Sequence, residues 1–258
     1  MNRDLFLALL LVVIVAGAGW WLYSQTRPAP AAVPLPSTEA PATAPSALPT
    51  EPVYRVPTIN DPAYLVDLPA LDDSDAYFQI ELRNLFGVTL DRLLVESGGV
   101  ERFVATIDNL PRKTVSESIR PLKPVAGSLL VVDGAISSEN ADRYAPYVTL
   151  FTQSDTQQLI GAYRRFYPLM QEAYQRLGDP DAYFNDRVVA VIDHLLETPD
   201  IDAPIAVTRP HVLYDFVDPS LQALSAGQKI LVRIGSPHRQ AVKSRLRELR
   251  DRLTRFDD

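Results

Sequence analysis

The chain has 258 residues, a net charge of −7 and no cysteine. That length admits one substantial domain with extensions. The missing cysteine excludes disulfides, thiolate catalysis and the lipid-attachment residue of a bacterial lipoprotein, without fixing a compartment. The acidic balance argues against bulk nucleic-acid binding, which needs a positive surface to release phosphate counterions.

Residues 1–4 precede an uncharged stretch, Leu5 to Tyr23, "LFLALLLVVIVAGAGWWLY". As a helix it would reach about 28 Å at ~1.5 Å per residue, close to the hydrocarbon thickness of a bilayer. Trp20, Trp21 and Tyr23 stand at one end, where an interfacial aromatic belt belongs. Ala16-Gly17-Ala18 has the small residues of a signal-peptide cleavage site. A retained anchor is the better reading, because the apolar run continues to Tyr23 and the first residues are barely basic. Arg3 and the amino terminus before the span, against Arg27 alone close after it, tip the N-terminus toward the cytoplasm. The expected location is therefore a bacterial inner membrane, crossed once, with the head in the periplasm.

Residues 24–62 carry prolines 28, 30, 34, 36, 41, 45, 49, 52, 57 and 62 among Ala, Ser and Thr. Such a segment cannot build a core and reads as a disordered Pro/Ala-rich linker, semi-extended, with an upper reach of about 120 Å at ~3.1 Å per residue. The soluble head, residues 63–258, follows.

The head reads as mainly α: a helical bundle with one small β-hairpin. A helix begins near Ser74, carries Tyr77, Ile80, Leu85 and Phe86, and stops at Gly87. A short helix is expected over Asp91 to Glu96. Val100, Phe103, Val104, Ile107 and Leu110 share one helical face, ended by Pro111. Residues 111–124 read as loop, and Asp133-Gly134 between apolar runs as a hairpin turn. A further strand is expected over Ile205 to Thr208. Asn140 to Phe151 forms a helix interrupted by Pro146. A capping box at Ser154 opens the longest soluble helix, with a stripe of Leu159, Tyr163, Phe166, Met170, Ala173 and Leu177. Ser225 opens a second capping box, and Ser236-Pro237 starts a last helix running to Phe256.

"YFNDRVVAVIDHLLE", Tyr183 to Glu197, gathers Asp186, Asp193, His194 and Glu197. At 100° per residue, Phe184, Val188, Val191, Ile192 and Leu195 make the core face. Asp186, Asp193 and Glu197 fall opposite, which predicts a solvated face. The three histidines are isolated, and neither H-E-x-x-H nor G-x-S-x-G occurs. Asp179 to Val188 lacks the Gly and terminal Glu of a calcium loop. Gly98-Gly99 lacks the lysine of a phosphate loop. No catalytic residue, cofactor or metal is assigned. A cell-wall-polymer-acting enzyme using paired carboxylates is the enzymatic alternative.

Arg120-Pro121-Leu122-Lys123-Pro124 is a P-x-x-P stretch with two cations, a rigid connector or a polyproline ligand. Arg120, Lys123, Arg143, Arg164 and Arg165 are the candidate partner-binding residues, since arginine beside tyrosine is enriched at interfaces. Tyr64 to Val232 holds 14 basic and 24 acidic residues; Arg233 to Asp258 holds 8 and 4. In that basic tail Val242, Leu246, Leu249, Leu253 and Phe256 form an a/d seam. The favoured reading packs this seam on the head's own acidic body. The alternatives are a homodimer through Val242–Phe256, a partner, or an anionic membrane surface.

The stretches "LPALDDSDAYF", "RFVATIDNLPR", "RPLKP", "RYAPYV", "LIGAYRRFYPLMQEAYQRLG", "YFNDRVVAVIDHLLETP" and "VLYDFVDPSLQALSAGQKILVRIG" resemble the proteobacterial family of membrane-anchored proteins called domain of unknown function 3014. The resemblance runs from about Leu68 to Leu253 and includes the layout of anchor and proline linker. It implies a Gram-negative host and an envelope location, and it brings no assigned activity or functional residue. The expected function is a membrane-anchored, non-catalytic binding or scaffolding protein of the cell envelope that holds an envelope protein partner at a distance.

Overall fold

A computed structural model describes residues 51–57 and 68–256, apart from 88, 89, 91–93, 96, 126, 179, 203, 211 and 212. The expected span Leu5–Tyr23 and most of the linker lie outside the described residues. Among the described residues no helix is long and apolar enough to cross a membrane.

After a 3₁₀ turn at Leu71–Asp73 come α1 (Asp75–Phe86) and α2 (Gly99–Asn109). A second 3₁₀ turn, Glu117–Ile119, lies in the expected loop. Then follow β1 (Val131–Val132), β2 (Ala135–Ile136), α3 (Asn140–Thr152), α4 (Thr156–Arg176) and α5 (Phe184–Leu196). The chain continues with β3 (Val207–Thr208), β4 (Asp215–Phe216), α6 (Pro219–Gln222), α7 (Ala226–Arg233) and α8 (Ser236–Thr254). The head is mainly helical, as its periodicity predicts.

The helix ends follow local chemistry, with corrections. Gly87, at φ 74°, closes α1. Its buried stripe is Phe78, Leu82, Leu85 and Phe86, whereas Tyr77 and Ile80, expected inward, are exposed. The cap of α4 is Asp155 rather than Ser154; its carboxylate accepts from the Gln157 and Gln158 amides at 2.9 and 3.0 Å. A charged acceptor at a helix N-terminus outcompetes the neighbouring hydroxyl. Ser154 Oγ instead donates to the Phe151 carbonyl and accepts from Arg245. Ser225 and Gln228 complete the expected capping box on α7. Pro146 does not interrupt α3, and α4 likewise runs through Pro168. Burial of Tyr144, Tyr147, Val148 and Phe151 in α3, and of Phe166, Leu169 and Met170 in α4, outweighs the ~3 kcal/mol that an interior proline costs. Of the short helix expected over Asp91 to Glu96, residues 91–93 and 96 lie outside the described residues. Leu94 forms an isolated bridge with Leu122.

The hairpin turns at Asp133 (φ 50°) and Gly134 (φ 75°), left-handed positions that a two-residue turn requires. A second antiparallel pair, β3 with β4, was not expected beyond the strand at Ile205 to Thr208. A bridge between Ala135 and Ala206 links the two pairs. Val207, Phe216, Leu221 and Val232 form a small core beneath them.

The main core runs from Leu71 to Leu253. Phe78 meets Phe166 edge-on at 5.6 Å, and Phe103 meets Phe184 at 6.5 Å. Helix α8 packs chiefly on α3 and α5, and α2 on α4. Val242, Leu246, Leu249 and Leu253 are buried, so the apolar seam is part of the chain's own core. At Gly227 a Cβ would sit 2.6 Å from Leu195 Cδ2 and 3.2 Å from the Leu110 carbonyl. Gly227→Ala is therefore expected to cost about 1–3 kcal/mol, read as a lower urea midpoint.

Candidate functional site

The feature that most concerns function lies where the expected linker meets the head. Residues 51–57, "EPVYRVP", lie on the head as a strap that bends at Val53 and Tyr54. Pro52, Tyr54, Val56 and Pro57 are half-buried, while Glu51, Val53 and Arg55 are exposed. Tyr54 and Val56 pack against the main core.

Helix α5 holds the strap through two adjacent side chains. Asp186 accepts the Val53 amide at 2.9 Å and the Tyr54 amide at 2.8 Å. Asn185 Nδ2 donates to the Tyr54 carbonyl at 2.9 Å and to the Leu253 carbonyl of α8 at 3.1 Å. Its Oδ1 accepts from the Tyr163 hydroxyl of α4 at 3.0 Å. Asn185 is fully buried, so each of these groups has a partner that water would otherwise supply. Arg164 reaches the Pro57 carbonyl at 3.5 Å, and its guanidinium lies over the Phe256 ring. Burial pushes the Tyr163 phenol well above its ordinary value, with Tyr167 and Asp186 adding to the effect. Burial also pushes Tyr167 up to about 12, against a hydrogen bond from the Asn185 backbone. Both phenols are neutral donors at physiological pH.

The acids of Tyr183–Glu197 are thus not simply a wet face. Asp186 ties down the strap, and Asp193 is half-buried and paired with Arg250 of α8. His194 bonds Ser225, and Arg187 pairs with Asp108 at 2.8 Å. Glu197 is exposed, as expected. The helical wheel places these acids away from the apolar face correctly. It cannot show that the strap and α8 cover their side.

The five cations picked from sequence do not converge. Arg120 is buried; it donates to the Val115 carbonyl at 2.6 Å, and burial lowers its pKa, partly offset by Glu117. Lys123 is exposed. Arg143 holds the Gly127 carbonyl at 2.9 Å and the Asn140 side chain at 3.2 Å. Arg164 meets the strap and Phe256, and Arg165 pairs with Glu81 at 3.3 Å. Four of the five tie loops or helices together. Asn185 escaped the sequence reading, although its signal was present: at 100° per residue it lies between Ile192 and Val189, inside the buried arc.

Much of the basic charge of α8 is likewise tied internally. Arg239 and Lys243, both buried, share Asp200 at 3.3 and 3.0 Å. The Lys243 hydrogen bond, then that of Arg239, holds the Asp200 carboxyl below its ordinary range against the opposing effect of desolvation. Hydrogen bonds from Ser220 lower Asp218. In Glu248 burial acts upward but is overridden by Thr156 and Arg245, so it too is lowered. A lowered folded pKa contributes stability above the unfolded pKa, and that contribution is lost as pH falls through the folded one. Stability should therefore decline below pH about 4. Asp200→Asn should cost roughly 1 kcal/mol at pH 7 and shrink that decline, measured by urea titration from pH 7 to 3. Among the described residues, no three His, Asp or Glu side chains gather as metal ligands.

No curated protein and no solved structure matches the chain. A family model matches residues 99–250, from the start of α2 to near the end of α8. The chain belongs to the family described as "Protein of unknown function (DUF3014)".

Proposed function

We propose that this is a membrane-anchored, non-catalytic binding or scaffolding protein of the bacterial cell envelope, with Leu5–Tyr23 in the inner membrane and the head in the periplasm. The observation that carries the proposal is the strap. It fixes the place where the tether joins the head, through Asp186 and Asn185. A module held at a distance needs a defined attachment if it is to present one face to a partner.

Two further features support a binding role over carboxylate catalysis. Asp186 and Asp193, two of the acids gathered in Tyr183–Glu197, each serve a structural contact. Asp200, Asp218 and Glu248 are likewise tied, each held below its ordinary pKa by hydrogen bonds from neighbouring side chains. Crosslinking in cells followed by mass spectrometry tests the proposal. One repeatable envelope protein should be recovered; recovery of none across several growth states would overturn it.

A further inference from the structure

We infer that the strap is a releasable latch: residues 51–57 dock and undock as a unit while the head stays folded, and the vacated groove accepts a peptide of the same sequence pattern. The groove is formed by α4, α5 and the end of α8. The ligand class is a short segment, bent at its centre, with a half-buried tyrosine between a half-buried proline and a half-buried valine.

Four observations lead here. First, among the described residues the fully buried side chains of the main core begin at Leu71, and the strap contributes to it only the half-buried Tyr54 and Val56. The strap is therefore a marginal part of that core. Second, the hydrogen bonds that hold the strap go chiefly to its backbone: two amides to Asp186, and one carbonyl each to Asn185 and Arg164. Backbone recognition of this kind reads the path of the chain, while the places taken by Pro52, Tyr54 and Val56 supply selectivity. Third, the reading groups are held in place independently of the strap. Asn185 keeps Tyr163 and the Leu253 carbonyl, and Arg164 keeps its place over Phe256. A groove that stays formed when empty is preorganised for a ligand. Fourth, the strap follows the proline-rich stretch and makes the described contacts nearest the N-terminus, so a pull from that side loads it before the helices.

Release would lengthen the tether by the strap's own extent, about 20 Å at ~3.1 Å per residue. Head position and peptide binding would then be linked, since a segment that takes the groove also frees the leash. Only this consequence rests on the anchored reading. Docking and release belong to the chain whatever its N-terminal stretch does, so failure of the latch and failure of the anchor are separately visible.

The test uses the full chain in detergent, carrying spin labels at Val53→Cys and Ala190→Cys. Both positions are exposed, position 190 lies one turn beyond Asp186, and no native cysteine interferes. The probe is a synthetic peptide of residues 50–57, TEPVYRVP. Without peptide the label distance should be short. At ~1 mM peptide, comparable with the effective concentration of a short tethered segment, about half the molecules should shift to longer distances with the helical circular-dichroism signal unchanged. Tyr54→Gly should give the long distances without peptide and bind it at least about tenfold more tightly, as the resident competitor is lost. Three results would each overturn the inference: short distances that persist until helix is lost, long distances in the unsubstituted strap without peptide, or a Tyr54→Gly chain with reduced helix.

Discussion

Deletion of residues 236–258 is expected to leave a chain that does not fold. The final helix presents Val242, Leu246, Leu249 and Leu253 to the core, each at most 2% exposed. Full burial of one such side chain is worth about 1.5–3 kcal/mol. Four together reach roughly 6–12 kcal/mol, the size of the whole stability of a typical domain. The loss would also strand polar groups. Lys243 serves the Thr198 carbonyl, Arg239 the Ile201 carbonyl and Arg245 the Ser154 carbonyl. Circular dichroism with urea titration reads the outcome. A truncated head that keeps a cooperative transition would show the helix to be an appendage.

The second large effect is expected at Asn185. Asn185→Ala removes the acceptor of the buried Tyr163 hydroxyl and the donor to two carbonyls. An orphaned buried polar group costs about 1–3 kcal/mol, so a loss of roughly 2–4 kcal/mol is expected. Tyr163→Phe alone should cost less, because it orphans only the amide oxygen. The double variant should lose less than the sum of the singles, since each substitution removes part of the other's orphaned partnership. Urea midpoints of the four chains measure the cycle. A loss below about 0.5 kcal/mol for Asn185→Ala would mean that water replaces these contacts freely.

Sequence periodicity located α2, α4, α5 and α8 because each has a continuous apolar stripe that a wheel can see. The stripe of α2, Val100, Phe103, Val104 and Ile107, is buried throughout. Asp133-Gly134 marked the hairpin because its backbone demands left-handed residues. The β3–β4 pair was not legible: two residues on each side carry no period, and its support comes from Leu221 and Val232, distant in the chain from Val207. The internal contacts of four of the five candidate cations were illegible for a similar reason. Composition shows that an arginine exists, but not that Val115 or Glu81 waits for it.

The strap shows the limit most clearly. Proline content alone assigned residues 51–57 to the linker, and Pro52 and Pro57 do exclude a helix there. The same residues bend at Val53 and Tyr54. What selects that conformation is Asp186, more than a hundred residues away. A local reading of composition has no access to such a partner.

We propose that the apolar segment Leu5–Tyr23 stays in the bilayer while the proline-rich leash carries the strapped head outside it. Fractionation of cells expressing the chain with a tag before Met1 tests this most directly. The tag and the head should remain on one polypeptide, sediment with the inner membrane, resist carbonate and dissolve only in detergent. A head recovered in the soluble fraction, separated from its tag, would contradict the account.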